Sequence, residues 1–347
     1  MLTKKQVEEI KEHLSKAQNP IFFFDNDPDG FCSFLLLQRY IERGRGVPIR
    51  SFPGLDKDYL RKVSEFRADY IFILDKPVVS EEFFREVEKI NIPVVWIDHH
   101  AIEKELIPHF VSYYNPLFNR SKKNEPVTAL CYQITDKKDN LWIAMVGCVA
   151  DQFMPKFYNF FRKKYPDLAA SSKYPPDIYY RSQIGRIARL MDFALKDTTT
   201  NVMNMVRFMI KVKTPYEVLE ENSKNYTMHR RFKQIEIKYR DLLKKASPIG
   251  RNKEKMLFFQ YGGDLSISGN LSNELYYLFP EKIIVVVYIK GAKANVSMRG
   301  KKVREVIIEA IKGLENASGG GHENAVGGQL NIEDLEKFRE NLKRLIG

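Results

Sequence analysis

The chain has 347 residues, 44% of them hydrophobic, with 56 basic against 44 acidic side chains and a formal net charge of +12. This length and apolar content exclude a disordered chain and predict two domains around buried cores. No apolar run reaches the roughly 18 residues of a helical membrane span, and three cysteines without a CxxC pair exclude a disulfide scaffold.

Residues 3–17 have the apolar spacing of an amphipathic helix, and Pro20 opens a short apolar strand over 21–24. Lysine and glutamate alternate through the first twenty residues and leave no apolar signal segment, so the expected location is the cytoplasm. Asp25-Asn26-Asp27-Pro28-Asp29-Gly30 reads as a turn, followed by a helix over 31–42 that ends near Gly44 and Gly46. Strands are predicted at 47–52, 70–74 and 94–97, with helices at 57–66 and 80–89 between them. Such alternation with short loops is the signature of a mostly parallel sheet covered by helices.

Further helices are predicted at 126–134 and 141–150, then an irregular Pro-, Ser- and Tyr-rich stretch at 165–180. Residues 184–245 are largely helical in pattern, broken near Pro215, and read as a connector. A boundary follows at Pro248, Gly250 and Asn252. Beyond it come a strand at 256–261, a helix at 271–278, a β-branched strand at 283–289 with a hairpin partner at 292–298, and a helix at 303–314. A glycine loop, Ser318-Gly319-Gly320-Gly321-His322, and a closing helix at 335–345 complete the chain. The expected fold class is α/β, with a mostly parallel-sheet domain over 1–183, a helical connector over 184–249 and a smaller mixed-sheet domain over 250–347.

Three predicted strands end in a carboxylate: Asp25, Asp75 and Asp98, the last continuing as Asp98-His99-His100. Strand ends of an open α/β sheet face the crevice where ligands sit. Carboxylates gathered there repel one another unless a cation joins them, so one or two divalent ions are expected. Asp25, Asp27 and Asp29 alternate within one turn, where Pro28 restrains the backbone and Gly30 permits unusual dihedrals. The D-x-D-x-D-G pattern opens like a calcium loop, but the twelfth position from Asp25 is Leu36, which excludes an EF-hand. Asp151 closes the helix at 141–150. Each residue also has a plainer reading: turn and strand-tip aspartates cap helices, and paired histidines sit in cores. The set as a whole favours a metal centre. Mostly oxygen donors with a little imidazole suit Mn2+, with Mg2+ as the alternative, whereas zinc favours more His or Cys. Two such ions about 3.5–4 Å apart would share a carboxylate and activate a hydroxide for attack on phosphorus.

In this order the motifs resemble those of the DHH phosphoesterases, named for a triplet that here is Asp98-His99-His100. The first family motif is matched by Asp25 to Gly30, the second by Asp75, and the fourth by Gly147-Cys148-Val149-Ala150-Asp151. The second domain is similar to the DHHA1 substrate-binding domain through Ser297-Met298-Arg299 and Gly319-Gly320-Gly321-His322. The resemblance implies that Asp27 serves one ion, that Asp29, His99 and Asp151 serve another, and that Asp75 bridges them. It implies that Asp98 completes the shell or orients His99, and that His100 meets phosphate or the leaving group. Many members carry a histidine four residues before the first aspartate of the metal pair. Phe23 stands there in this chain, so the expectation is either that Asp25 substitutes as a ligand, as in the RecJ-like branch, or that the first ion binds weakly.

Arg299, Gly319, Gly320, Gly321 and His322 are the expected phosphate-binding residues, through a guanidinium fork and a loop of backbone N–H groups facing the metal crevice. The resemblance is strongest to the archaeal RecJ-like branch and, in size, to the Hef-associated nucleases. It implies 3′-to-5′ exonuclease action on single-stranded DNA or RNA, a Hef-like helicase/nuclease as partner, and leaves room for a homo-oligomer. The alternative is a phosphodiesterase for short oligoribonucleotides or cyclic dinucleotides, and a third reading is a non-catalytic nucleic-acid-binding protein. The basic run Arg230, Arg231, Lys233, Lys238, Arg240, Lys244 and Lys245 would track a longer strand. Tyr113-Tyr114, Tyr179-Tyr180 and the aromatics at 157–161 are candidates for base stacking or for the core.

Overall fold

Thr3 caps the first helix, α1 (Lys4–Lys16), by accepting from the Gln6 amide, and the Gln6 side chain returns the bond to the Thr3 N–H. The computed structural model describes residues 1–50 and 54–347. The chain divides into two units, Met1–Phe232 and Lys233–Gly347.

In the first unit, β1 (Pro20–Asp25) leads into α2 (Pro28–Ile41), and β2 (Arg45–Ile49) follows. Next come α3 (Leu60–Glu65), β3 (Tyr70–Leu74), α4 (Glu81–Lys89), β4 (Val94–Ile97) and β5 (Val111–Tyr114). The five strands are all parallel, in the order β2-β1-β3-β4-β5. Succession reverses direction between β1 and β3, and the carboxyl ends of the strands there open the crevice that binds ligands in such sheets. Ile21, Phe23, Ile71, Ile73 and Trp96 cover one face with Phe83 and Phe84 of α4. Phe22 and Phe72 stack on the other face, where Phe34 of α2 meets Phe22 edge-on.

α5 (Val127–Thr135) and α6 (Leu141–Ala150) pack on α2. α6 is apolar all round, which is why it is buried all round. A Cβ on Gly147 would fall 2.1 Å from Thr128 Oγ1, so only glycine lets α6 lie this close to α5. The unit continues with α7 (Tyr158–Lys164), α8 (Pro175–Arg181), α9 (Gln183–Leu195), α10 (Thr199–Lys211) and α11 (Pro215–Leu219). The division between the units falls inside α12 (Tyr226–Gly250).

The second unit contains β6 (Met256–Gly262), α13 (Ser268–Leu278), β7 (Ile283–Lys290), β8 (Lys293–Arg299), α14 (Val303–Ala310), β9 (Ser318–His322), β10 (Ala325–Asn331) and α15 (Leu335–Ile346). Its sheet runs β6-β7-β8-β10-β9, with β6 and β7 parallel and the other pairs antiparallel, so it is mixed as expected. Val285, Val296, Met298 and Leu330 form its core with Ile307, Phe338 and Leu342.

Several expectations need correction. The predicted glycine loop at 318–322 is the edge strand β9, paired along its length with β10. Glycines signal turns because they permit odd dihedrals, but a ladder of backbone hydrogen bonds needs no side chain. Here the lack of side chains admits close packing: a Cβ on Gly328 would lie 2.8 Å from Ser318 O and 2.9 Å from Ile307 Cδ1. The predicted irregular stretch contains α8, where Pro175 and Pro176 occupy the first turn and their missing N–H groups cost no hydrogen bond. Pro248, placed at a boundary, lies inside α12. The predicted helix at 31–42 starts earlier, at Pro28, which puts Asp29 and Gly30 on the helix. β5 was not foreseen, and the predicted strand at 47–52 is observed over 45–49, its residues 51 and 52 lying outside the described ones. Among the described residues no helix is long and apolar enough to cross a membrane.

Candidate metal centre

Asp25 ends β1, Asp75 follows β3 and Asp98 follows β4, so three adjacent strands deliver three carboxylates to one edge of the sheet. Gly30 lets α2 start against that edge: a Cβ there would sit 2.5 Å from Asp25 O. Asp27 caps α2 through the Gly30 N–H at 2.9 Å. Asp29 lies in the first turn of the helix and is buried. Its two oxygens accept from the Val127 and Thr128 N–H groups at 2.9 and 2.8 Å. Helix α5 has no side-chain cap of its own, so a carboxylate from α2 satisfies its first amides and is held rigid by them.

Asp75 adopts a left-handed backbone, with φ 59°, and is 2% exposed. Its Oδ1 is buried with no hydrogen-bond partner. Burial, and then the charges of Asp29, Asp27, Asp25 and Asp98, push its pKa well above the ordinary carboxylate value. Asp27 is raised well above its usual value too, by burial and then by Asp25 and Asp29.

His99 is buried, and its Nδ1 meets Asn124 Oδ1 at 2.8 Å. With Asn124 assigned as the acceptor, the proton lies on Nδ1 and Nε2 keeps its lone pair. Nε2 stands 3.3 Å from Asp75 Oδ1. Burial opposes a charge on this ring, but Asp151, Asp29 and Asp98 outweigh it and raise the pKa. His100 Nδ1 donates to Asp98 Oδ1 at 2.8 Å, and its carbonyl accepts from Asn115 Nδ2 at 2.8 Å. Burial acts to raise the Asp98 pKa, yet the bond and charge of His100 bring it below the usual value. Asp98 therefore orients His100. Asp151 caps the end of α6 and is exposed at the rim of the cluster, where crowding by neighbouring groups and then Asp29 raise its pKa to about 6, with the histidines opposing.

Ligand atoms of Asp29, His99 and Asp151 lie within 4.8 Å of one another, as do those of Asp75, His99 and His100. His99 belongs to both groups. Carboxylates with an imidazole nitrogen, beside an orphaned buried carboxylate oxygen, are a donor set that fits a divalent cation of the Mn2+ or Mg2+ kind. Asp25 and Asp27 join neither group among the described residues. Asp25 Oδ1 instead pairs with Lys76 Nζ at 2.8 Å. The ring of Phe23 is buried between Tyr59 and Phe83, at 6.0 and 5.9 Å.

Lys76, Asn115, Asn124 and Thr128 also shape the site and lie outside the sequence motifs. Lys76 had a signal, since it directly follows a strand-tip aspartate. Asn124 had none, because its role depends on a distant histidine. Tyr113 is no stacking platform: it packs edge-on to Trp96 at 4.9 Å and its hydroxyl points at Asp98. Tyr114 and Tyr179 are buried.

In the second unit, Arg299 ends β8. Its Nε donates to Asn273 Oδ1 at 2.5 Å, and Nη1 to the carbonyls of Met298 and Val326 at 2.8 and 3.3 Å. Ser297 meets Ser268 at the start of α13, with the hydroxyls 2.9 Å apart. Gly319, Gly320, Gly321 and His322 lie along β9. In the basic run on α12, Lys238 pairs with Asp264, Arg240 with Glu236 and Glu274, and Lys245 with Asp241. Cys32, Cys131 and Cys148 are buried free thiols, raised well above the usual pKa by burial and then by Asp29.

Residues 253–347 match the DHHA1 domain family. No curated protein matches the chain in sequence. Among solved structures, the chain is similar to RecJ from Thermus thermophilus in complex with Mn2+. That match has a TM-score of 0.70 and 15% identity, covering 99% of this chain and 54% of that one. An exonuclease RecJ bound to manganese gives a TM-score of 0.66 at 15% identity, covering 100% of this chain and 95% of that one. A DHH domain from a member of the s1p family of ribosomal proteins gives 0.69 at 14%, covering 99% and 92%. The chain spans about half the length of the Thermus RecJ. At these identities the likeness is one of fold, which is that of RecJ and DHH proteins, with a DHHA1 domain in the second unit.

Proposed function

We propose that the chain is a divalent-metal-dependent phosphodiesterase that removes nucleotides from an end of single-stranded DNA or RNA, with Mn2+ as the working ion. The observation that carries this reading is the convergence of Asp29, Asp75, His99 and Asp151 at the sheet's reversal point, with Asp75 Oδ1 buried and lacking a hydrogen bond. A bound divalent ion supplies Lewis acidity, lowering the pKa of water and offsetting charge on phosphoryl oxygens. The chain's own residues do the rest. Asp29 is fixed by α5, and His99 by Asn124, so their donor atoms need little reorganisation. His100 is held by Asp98 through Nδ1, which makes Nε2 the atom to meet a phosphate oxygen or to give a proton to the leaving oxygen. Arg299, its plane set by Asn273 and two carbonyls, is suited to hold a phosphate of the substrate.

A phosphodiesterase for short oligoribonucleotides or cyclic dinucleotides is the second reading. Acidic neighbours beside Lys238, Arg240 and Lys245 dilute the positive field along α12, and it is net positive charge that holds a long backbone. Digestion of end-labelled single strands in Mn2+, with DNA and RNA compared over a length series and each end labelled in turn, tests both. Loss of activity beyond a few nucleotides favours the second reading. Binding without hydrolysis in saturating Mn2+ overturns both.

A further inference from the structure

Lys76 belongs to none of the motifs, yet it is held at both ends. Its side chain is 3% exposed, and its Nζ donates to Asp25 Oδ1 at 2.8 Å and to Arg50 O at 3.1 Å. Its own carbonyl accepts from the Trp96 indole N–H at 3.0 Å. The left-handed turn at Asp75 directly precedes it. Releasing a buried ammonium from its carboxylate leaves both charges uncompensated, so this lysine is a fixed part of the strand tips.

Asp25 is the first carboxylate of the D-x-D-x-D turn, and its partner is therefore already a cation. A divalent ion on the same carboxylate would face the ammonium across a few ångströms of protein, where like charges are poorly screened. The ligand atoms that converge do so around His99, and Asp25 is absent from both groups among the described residues.

We propose that Lys76 stands where a second divalent ion would otherwise neutralise Asp25, so that the centre binds one divalent cation per chain, around His99. This rests on the reading of the cluster as a metal centre. Lys76 is a positioning and charge-neutralising residue: an ammonium supplies positive charge but has no open coordination position for water or phosphate.

Titration of the full chain with Mn2+ alone, read by calorimetry and by electron paramagnetic resonance, tests the assignment. Wild type is expected to take one Mn2+ with the spectrum of an uncoupled ion. Lys76→Met, folded by circular dichroism, is expected to take two, close enough to couple magnetically, because Asp25 is then freed. Asp25→Asn is expected to keep one Mn2+ with affinity within about threefold of wild type. Two ions in wild type, one in folded Lys76→Met, or a loss of more than about tenfold in Asp25→Asn overturns the role of Lys76 and leaves the metal centre standing. No Mn2+ bound by wild type removes the metal reading itself. If Lys76→Met does not fold, the wild-type stoichiometry and the Asp25→Asn affinity decide the question.

Discussion

His99 Nε2 faces Asp75 Oδ1 at 3.3 Å while the opposite nitrogen of the ring is engaged by Asn124 at 2.8 Å. The two approaching atoms both carry lone pairs when His99 is neutral, and both residues are buried. A contact of that kind is stable only with a proton or a metal ion between the two atoms. Without metal that place falls to a proton, in keeping with the raised pKa of both groups.

Replacing Asp75 by asparagine separates folding from metal binding. The amide removes a carboxylate that burial and four neighbouring aspartates destabilise, and asparagine tolerates the left-handed backbone at this position. Asp75→Asn is expected to melt at a higher temperature than wild type in chelator and to lose at least about 100-fold in Mn2+ affinity, more than an outer partner's usual share. Thermal denaturation with and without Mn2+ checks both signs.

The cluster also sets how metal-free stability depends on pH. Asp151 has a folded pKa of about 6 against an ordinary 3.8, and Asp27 and Asp75 are raised further in the same sense. The folded state then holds protons that the unfolded state has released, so stability falls as pH climbs from about 4 through 6 and beyond. His99, raised from 6.5, adds stability below that value that is lost as pH passes its folded pKa. Melting in chelator is expected to occur at least about 3 °C lower at pH 8 than at pH 5.5. Saturating Mn2+ is expected to abolish or reverse that order. A metal-free melting temperature that rises over this range would falsify the assigned shifts.

Asp98 acts on His100 rather than on the ion. Asp98→Asn keeps the shape but loses the charge-assisted bond at 2.8 Å. The expected result is a fall in kcat of about 10- to 100-fold with Mn2+ affinity nearly intact. Steady-state kinetics beside calorimetry resolve the two, and a parallel collapse of Mn2+ affinity would mean that Asp98 is itself a ligand.

Gly147→Ala probes the support behind Asp29. The added methyl meets Thr128, whose N–H and hydroxyl both anchor Asp29. Overpacking of this kind costs about 1–3 kcal/mol. Because the strain falls on Asp29's anchor, Mn2+ affinity is expected to drop with it. Urea unfolding and Mn2+ titration of the same preparation check the linkage.

The apolar runs before Asp25, Asp75 and Asp98 were legible because a buried parallel strand is a short, continuous hydrophobic segment with a clear end. So were the helices with strong apolar periodicity, such as α1 and α15. β9 was not, since glycines carry no pattern and its strand character comes from pairing with β10. β5 is short and lies at the sheet edge, so its sequence lacks the buried run that marked its neighbours.

Local chemistry in the sequence determined which residue types gather at the strand ends, because strand length and hydrophobic pattern alone carry each aspartate to its tip. The partners were decided only by the tertiary structure. Asn124 on His99, Lys76 on Asp25 and α5 on Asp29 join residues 25, 51 and 98–99 positions apart. Hydrogen bonds and ion pairs act over a few ångströms of space, and distance along the chain says nothing about them until the sheet order has brought the segments together.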